Sequence, residues 1–373
     1  MIAFLYGRAF GIFVEPVART LRDAVVAAGS DAIVMTIEAL RQRDPRAVIV
    51  DQVYVLPFDA PAGTEPAALV AELLPKATIV NSFGAHDLCV DKIATQERLL
   101  GRGLPMPDTI ITSDARDVYE FVYEHQFALL KEPRSCGGEG HLVVWIEDGE
   151  IYGDSGSHRY KLQLVPQGDR LVLGETMTYP PPYYVQRMVG GGGRKVEPPQ
   201  VLRAYVIDRQ IKFWTERYRE TYARPSDWIV NVGRGARYRF FADASDDAKK
   251  ITLRAADILG IRFGVVDLVR TATDGPYIIE ADTDGHRMFI DRSFRGLPEY
   301  RDIYDFDGAV AQALVADEEA AMEAALAKST PKPPPVKPPL RLRRQESGPG
   351  RPRPDRDREP PRGFPRSNRP KPR

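Results

Sequence analysis

Three carboxylates stand where a carboxylate is hard to keep. Asp267 lies in GVVDLV, between Val265-Val266 and Leu268-Val269, and Glu280 and Asp282 follow in IIEADTDG. Both segments read as strands, and alternate residues of a strand share a face, so Glu280 and Asp282 point the same way. An unpaired carboxylate in an apolar strand is costly to desolvate, and three together repel unless something positive sits among them. Magnesium meets that need, taking one or two carboxylates plus phosphate oxygens. The plainer alternative is that the acids cap strand ends or pair with Arg262, Arg270 and Arg287.

The second candidate is basic. Lys131 ends the apolar strand FALLK, and SCGGEG follows at residues 135–140. Closely placed backbone N–H groups in such a segment bind phosphate oxygens, and a nearby lysine adds charge. It is not a Walker motif, since Gly-x-x-x-x-Gly-Lys-Ser/Thr occurs nowhere in the chain. A hairpin turn is the competing reading. GGGGRK at residues 190–195 reads as a flexible connector.

The elements that must position these groups fall into three stretches. Over the first ninety residues strands alternate with helices: strand 2–6, helix 17–28, strand 47–50, helix 66–74 and strand 77–80. That order predicts a small parallel sheet covered by helices, without the Gly-x-Gly-x-x-Gly turn of a dinucleotide site. From residue 91 the expected elements are helix 92–100, strand 109–112, helix 115–124, strand 127–131 and strand 141–146. They form an α+β unit that closes with strand 183–189. Beyond the glycine connector come a hairpin of strands 201–207 and 211–218 around Asp208-Arg209, helix 245–259 ended by Gly260, strands 263–270 and 277–283, and helix 304–327. The expected domains are therefore 1–90, 91–189 and 190–328, followed by a tail at 329–373.

Composition narrows the classes. The 373 residues carry 52 Lys plus Arg against 52 Asp plus Glu, and 43% are hydrophobic, a globular proportion. The balance hides a split: residues 331–373 hold 14 basic and 4 acidic residues and 14 of the 32 prolines, leaving an acidic body. Such a tail cannot bury enough apolar surface to fold, and reads as disordered. No apolar run approaches the ~18 to 20 residues of a membrane span, and the start lacks a signal peptide's basic region. Cys89 and Cys136 make no Cys-x-x-Cys pair and the five histidines no zinc spacing. A soluble, reducing, cytoplasmic setting is expected.

Six segments in order carry a resemblance: VNSFGAHDLCVDKIATQERLL, LLKEPRSCGGEGHLVV, YYVQRMV, VLRAYV, WIVNVGRGAR, and GVVDLV with IIEADTDG. Over residues 1–328 the chain resembles the ATP-grasp superfamily, nearest its glutathione synthetase and ribosomal-protein glutamate ligase branch. The resemblance implies an α/β N-terminal layer followed by a two-subdomain ATP-grasp fold. It implies that Lys92 and Lys131 contact the ATP phosphates and that Ser135, Gly137, Gly138 and Gly140 belong to the loop closing over them. Gln186, Arg187, Met188 and Val189 match the hinge that reads adenine. Arg203 and Arg217 match arginines near the transferred phosphoryl group and acceptor carboxylate, and Asn231 lies on the loop beside the matching magnesium ligands. Asp267, Glu280 and Asp282 match the magnesium ligands, a site that manganese also suits. Departures are Asp282, where relatives carry Asn, and Ile229, where they carry Arg; for the ribose-binding acid Glu197 is the nearest candidate.

The implied activity is an ADP-forming ligase that joins a carboxylate to an amine or thiol through an acylphosphate. Its substrates would be small molecules or peptides, with no membrane partner and homo-oligomers common among relatives. The alternative is a catalytically weak ATP-binding scaffold whose Pro-rich tail docks a partner. The tail's charge would give at most a weak, unspecific grip on nucleic acid, and as a solvated accessory it needs no such role.

Overall fold

The computed structural model describes residues 1–6, 15–42, 50–56, 66–134, 140–156, 158–164, 171–173, 177–191, 198–231, 234–242, 244–283 and 306–329. Met1–Ala325 form one compact unit, to which everything below refers. Of the second unit, residues 326–373, only the helical residues 326–329 are described. The basic, proline-rich segment 331–373 therefore lies outside the described residues.

The N-terminal layer is the expected parallel sheet, with strands β1 (Ile2–Tyr6), β2 (Ala32–Thr36), β3 (Gln52–Val55) and β4 (Thr78–Val80) in the order β2-β1-β3-β4. Helices α1 (Glu15–Ala27), α2 (Ile37–Gln42) and α3 (Pro66–Leu73) belong to it. Helix α1 buries Ala18, Leu21 and Val25, one stripe at helical spacing. Strand β2 was not among the expected elements. Of the expected strand 47–50 only Val50 is described, and β3 begins at Gln52. Gln52 is buried, its Nε2 donating to Leu314 O at 2.9 Å, a partner 262 residues away.

Two short helices follow. In α4 (Phe83–Val90) Ser82 accepts from Ala85 N, and in α5 (Lys92–Leu100) Asp91 accepts from Ala94 N, so each has a side-chain N-cap. The central sheet is antiparallel and larger than expected. It contains β5 (Thr109–Thr112), β6 (Phe127–Lys131), β7 (Leu142–Glu147), β8 (Glu150–Asp154), β9 (Arg159–Leu164), β10 (Leu171–Leu173), β11 (Met177–Tyr179) and β12 (Tyr183–Arg187). Their order is β11-β10-β9-β8-β7-β6-β12-β5, with α6 (Ala115–His125) packed on one face. Strands β8 to β11 were not among the expected elements, although RYKLQL alternates polar and apolar residues as a half-buried strand does.

The last sheet is β15-β14-β13-β16-β17, from β13 (Gln200–Ile207), β14 (Gln210–Tyr218), β15 (Arg237–Phe240), β16 (Phe263–Arg270) and β17 (Tyr277–Asp282). Asp208 and Arg209 both have positive φ, as the tight β13–β14 turn requires. Helix α7 (Asp246–Leu259) is capped by Ser245 and stopped by Gly260 in the left-handed region, as expected. Helix α8 (Phe306–Ser329) adds Val310 and Leu314 to a core shared by Phe4 and Tyr54 of the parallel sheet and Tyr205, Phe263 and Val265 of the last sheet.

Asn81 joins the parallel sheet to that last sheet. Its Oδ1 accepts from Arg262 N and Phe263 N at 3.0 and 3.1 Å, and its Nδ2 donates to Phe263 O and Thr283 O at 2.6 and 2.7 Å. Its φ of 50° is one that asparagine tolerates. Nearby Gly264 admits no side chain, since a Cβ would run into Asp282 O and lie 2.8 Å from Ile261 Cγ2. Asn81→Ala leaves several buried backbone groups without partners, and should lower the unfolding free energy by about 3 kcal/mol in urea titration. A change below about 0.5 kcal/mol would show that the four bonds are dispensable.

Candidate active site

One cleft, partly open to solvent, is walled by both antiparallel sheets. Lys131 reaches it because FALLK alternates: Ala128 and Leu130 are buried in the core under α6, which sends Lys131 to the opposite face. Lys131 lies opposite Tyr184 in the β6–β12 register. Its Nζ donates to Gln186 Oε1 at 2.7 Å and stands 5.7 Å from the Tyr184 ring centroid. Gln186 Nε2 in turn donates to Thr109 Oγ1 at 3.3 Å, which orients the amide. Lys92 enters from the first turn of α5, whose backbone is tied to Pro133 O through Lys92 N at 3.0 Å. Both lysines are buried. Burial, helped by Lys92, lowers the pKa of Lys131 to about 8, while Glu280 and Asp267 pull the other way.

Glu280 reaches the cleft through a β-bulge. Asp267 pairs with Glu280, but its neighbour Leu268 pairs with Ile278, so Ile279 is the extra residue. Ile278 and Ala281 stay in the core against α7, while Ile279 and Glu280, adjacent in sequence, both line the cleft. Asp282, opposite Val265, sits on the same face as Glu280, as strand alternation requires, but is not among the cleft-lining side chains.

Asp267 is fully buried and held by two arginines. Arg203, its register partner, donates through Nε to Oδ1 at 2.7 Å and through Nη2 to Oδ2 at 2.8 Å, and Arg217 Nη2 adds a bond to Oδ2. Burial alone would raise the pKa of Asp267, but the two guanidinium groups outweigh it and hold the pKa below the ordinary value. Neither Arg262 nor Arg270 is its partner. Arg262 binds Asp208 and Asp317, and Arg270 donates to Gln200 at 2.6 Å; Arg287 lies outside the described residues. Arg217 lines the cleft, and its buried Nε has no hydrogen-bond partner. Among the described residues, no group of three or more His, Cys, Asp or Glu side chains is assembled to hold a metal.

The cleft thus brings together Lys92, Lys131, Gln186, Arg187, Met188, Val189, Arg217, Asn231 and Glu280 of the expected residues. Arg203 and Asp267 stand beside it, and Gly140 is described at a φ of 65°. Ser135, Gly137, Gly138 and Glu197 lie outside the described residues. Arg187 is held at the rim, its Nη1 2.6 Å from Asp274 Oδ2 and its Nε 3.1 Å from Asp108 Oδ2. Ile229 is buried with Trp228, Met188, Val143 and Trp145 in an apolar wall, so that position supplies packing.

The loop carrying that wall was not legible from local pattern. Ser226 N donates to Asp154 Oδ2 at 3.1 Å and Arg219 Nη1 to Asp227 Oδ1 at 3.2 Å. Arg234 spans to Ser155 O at 2.7 Å and His141 O at 3.0 Å. His141 was likewise not singled out by the sequence. The one signal for it is its place immediately after the glycine-rich segment.

No protein-family model matches the chain. Among solved structures it is similar to the ATP-grasp ligase PsnB complexed with a minimal precursor, Mg and ADP, with TM-score 0.56 and 16% identity over 84% of this chain and 96% of that one. It is also similar to a RimK domain ATP-grasp protein from Sphaerobacter thermophilus, with TM-score 0.51 and 18% identity over 84% of this chain and 98% of that one. The D-cycloserine synthetase DcsG gives TM-score 0.52 and 16% identity over 85% and 99%. Among curated proteins, the tetrahydromethanopterin:α-L-glutamate ligase of Methanocaldococcus jannaschii is 23% identical over 205 residues, 55% of this chain. The glutamate–LysW ligase ArgX of Sulfolobus acidocaldarius is 29% identical over 106 residues, 25% of this chain. This chain spans 62% of the length of the first and 37% of the second.

The fold is the ATP-grasp fold. The Methanocaldococcus and Sulfolobus relatives are both glutamate ligases, which agrees with the glutamate-ligase side of the resemblance and gives no specific support to the glutathione synthetase side.

Proposed function

We propose that this protein is an ATP-dependent, ADP-forming ligase that joins a carboxylate to an amine. The observation that carries the reading is the convergence of Lys92 and Lys131 with Gln186, Arg217 and Glu280 in one cleft of an ATP-grasp fold. Two buried lysines in one cleft give it a positive character that a triphosphate complements. Gln186 holds Lys131 in place, the apolar wall of Met188 and Ile229 excludes water, and Arg217 offers its unpartnered Nε to an acceptor carboxylate or the oxyanion formed from it. Asp267 steadies both arginines.

The donor set fits magnesium. Glu280 faces the cleft, and the arginines occupy three of the four or so acceptor sites of Asp267, leaving one on Oδ1. Glu280 and Asp267 would hold the ion, which would supply positive charge to neutralise that of the phosphates. No side-chain nucleophile is needed, and burial together with Asp282 and Glu280 pushes the Cys89 thiol pKa up, away from a thiolate.

The substrates we propose are a small-molecule or peptide carboxylate and an amine, with glutamate the first amine to try because the Methanocaldococcus and Sulfolobus relatives are glutamate ligases. Purified protein with magnesium and ATP should release ADP only when a pool of amino acids, peptides and carboxylic acids is added. AMP and pyrophosphate in place of ADP would overturn the reading.

Lys131 sets a pH limit. With its free-enzyme pKa near 8, its charge is lost above that value, so kcat/KM for ATP should fall roughly tenfold per pH unit beyond it. Lys131→Arg should remove that limb. Stability moves oppositely: a lysine with a lowered folded pKa opposes folding fully below pH 8, and the penalty fades as pH rises toward the ordinary value of 10.5. A flat kcat/KM profile from pH 7 to 10 would separate Lys131 from the phosphates.

A further inference from the structure

We propose that His141 is a nucleotide-contacting residue whose Nε2 donates a hydrogen bond to an oxygen of the bound polyphosphate. The inference rests on the ligase reading above and adds to it a residue that neither the motifs nor the resemblance assigned.

The β6–β7 register pairs Leu129 with Val143 and Leu130 with Leu142, which sets His141 across from Lys131 on the same face of the sheet. His141 lines the cleft with Lys131, Lys92 and Glu280, and its buried Nε2 has no hydrogen-bond partner. A buried polar atom facing a cleft is an interaction left for a ligand to complete. The backbone around it is fixed: Arg234 Nη2 donates to His141 O at 3.0 Å, and the preceding Gly140 O accepts from Tyr179 OH at 2.7 Å and Glu132 N at 3.3 Å. The ring is therefore presented from a held strand end.

The surrounding charges identify the ligand as anionic. Burial, with Lys131, Lys92, Arg234 and Arg217 around the ring, pushes the pKa of His141 far below its usual value, so the imidazole is neutral. A neutral ring carries one N–H, and with that proton on Nε2 it donates toward the cleft. Beside four cations, an acceptor that belongs there is a phosphate oxygen rather than the edge of a base, and the glycine-rich segment ends one residue earlier.

Calorimetric titration of the full chain with Mg-ADP, Mg-AMPPNP and adenosine tests this. His141→Leu should weaken binding of both polyphosphate nucleotides roughly ten- to a hundredfold and leave adenosine binding unchanged. His141→Gln, whose side-chain amide nitrogen falls near the position of Nε2, should recover most of the loss. Unchanged affinity in the Leu variant, an equal loss for adenosine, or no recovery in the Gln variant would each overturn the assignment. Should the Leu variant not fold, the imidazole Nε2–H resonance of the wild type decides: it shifts with Mg-ADP and not with adenosine if the assignment holds, and is unmoved by Mg-ADP if it fails. Wild-type protein that binds no ADP at all would overturn the ligase reading, and this inference with it. Wild type that binds ADP only as tightly as His141→Leu overturns His141 alone.

Discussion

Glu280→Gln should abolish acceptor-driven ADP release, with a loss of roughly a thousandfold or more in kcat, while the protein remains folded. The substitution is nearly isosteric, so the bulge that turns Glu280 into the cleft should survive and only the charge is lost. That charge has two consequences. It is the cleft carboxylate not engaged by Arg203 and Arg217, and so the first ligand available to a magnesium ion. It also raises the pKa of Lys131 against the effect of burial. Removing it should therefore shift the alkaline limb of kcat/KM to lower pH in whatever residual activity remains. Retained turnover, or a limb that stays in place, would remove Glu280 from the site.

The largest effect on stability is expected at Asp267. Its carboxylate is shared by Arg203 and Arg217, and all three side chains are buried. Asp267→Ala leaves two guanidinium groups without a counter-charge, a change that typically lowers stability by about 3–5 kcal/mol. For a folded unit of this size that is a fall in Tm of roughly 4–7 °C. Asp267→Asn should be nearly as damaging, because one amide face presents N–H groups to a guanidinium. A hydrophobic replacement of all three residues should recover stability but not turnover, which separates the structural role from the chemical one. The pH dependence follows the depressed pKa of Asp267: its contribution is complete above the unfolded value near 3.8 and is lost as pH falls through the lower folded value. Acid unfolding of the wild type should thus extend further below pH 4 than that of Asp267→Ala, measured by circular dichroism. Coincident acid transitions would show that the triad contributes nothing net.

Much of the site was legible because the residues that reach it break an apolar pattern. Lys131 ends FALLK and Asp267 interrupts GVVDLV, and in both cases a costly group in an apolar strand marks a partner or a ligand, whereas Gln186 was pointed to by the resemblance alone. The helix caps were equally plain, since Ser245 and Gly260 bracket α7 by local chemistry alone. What could not be read was the identity of the partners. Arg262 and Arg270 were reasonable neighbours for Asp267 by sequence distance, yet the residues that hold it are Arg203 and Arg217, 64 and 50 positions away. His141 gave no pattern of its own, since a lone histidine after a glycine segment is more often a turn residue than a ligand.

By itself, then, the amino-acid order determined the alternation of strands and helices in the parallel layer, the apolar strands of the two antiparallel sheets, and the charged residues that had to be accommodated within them. Propensity, capping and periodicity act over a few residues, and a few residues are enough to record them. Tertiary structure alone decided that β3 begins at the buried Gln52, that four further strands extend the central sheet, and that one extra residue at Ile279 turns Glu280 toward the lysines. It decided, too, that His141 faces the cleft beside Lys131. Each of these is set by cross-strand register and by the burial of groups far apart in the chain, and a one-residue shift in register would send the same side chains to the opposite face.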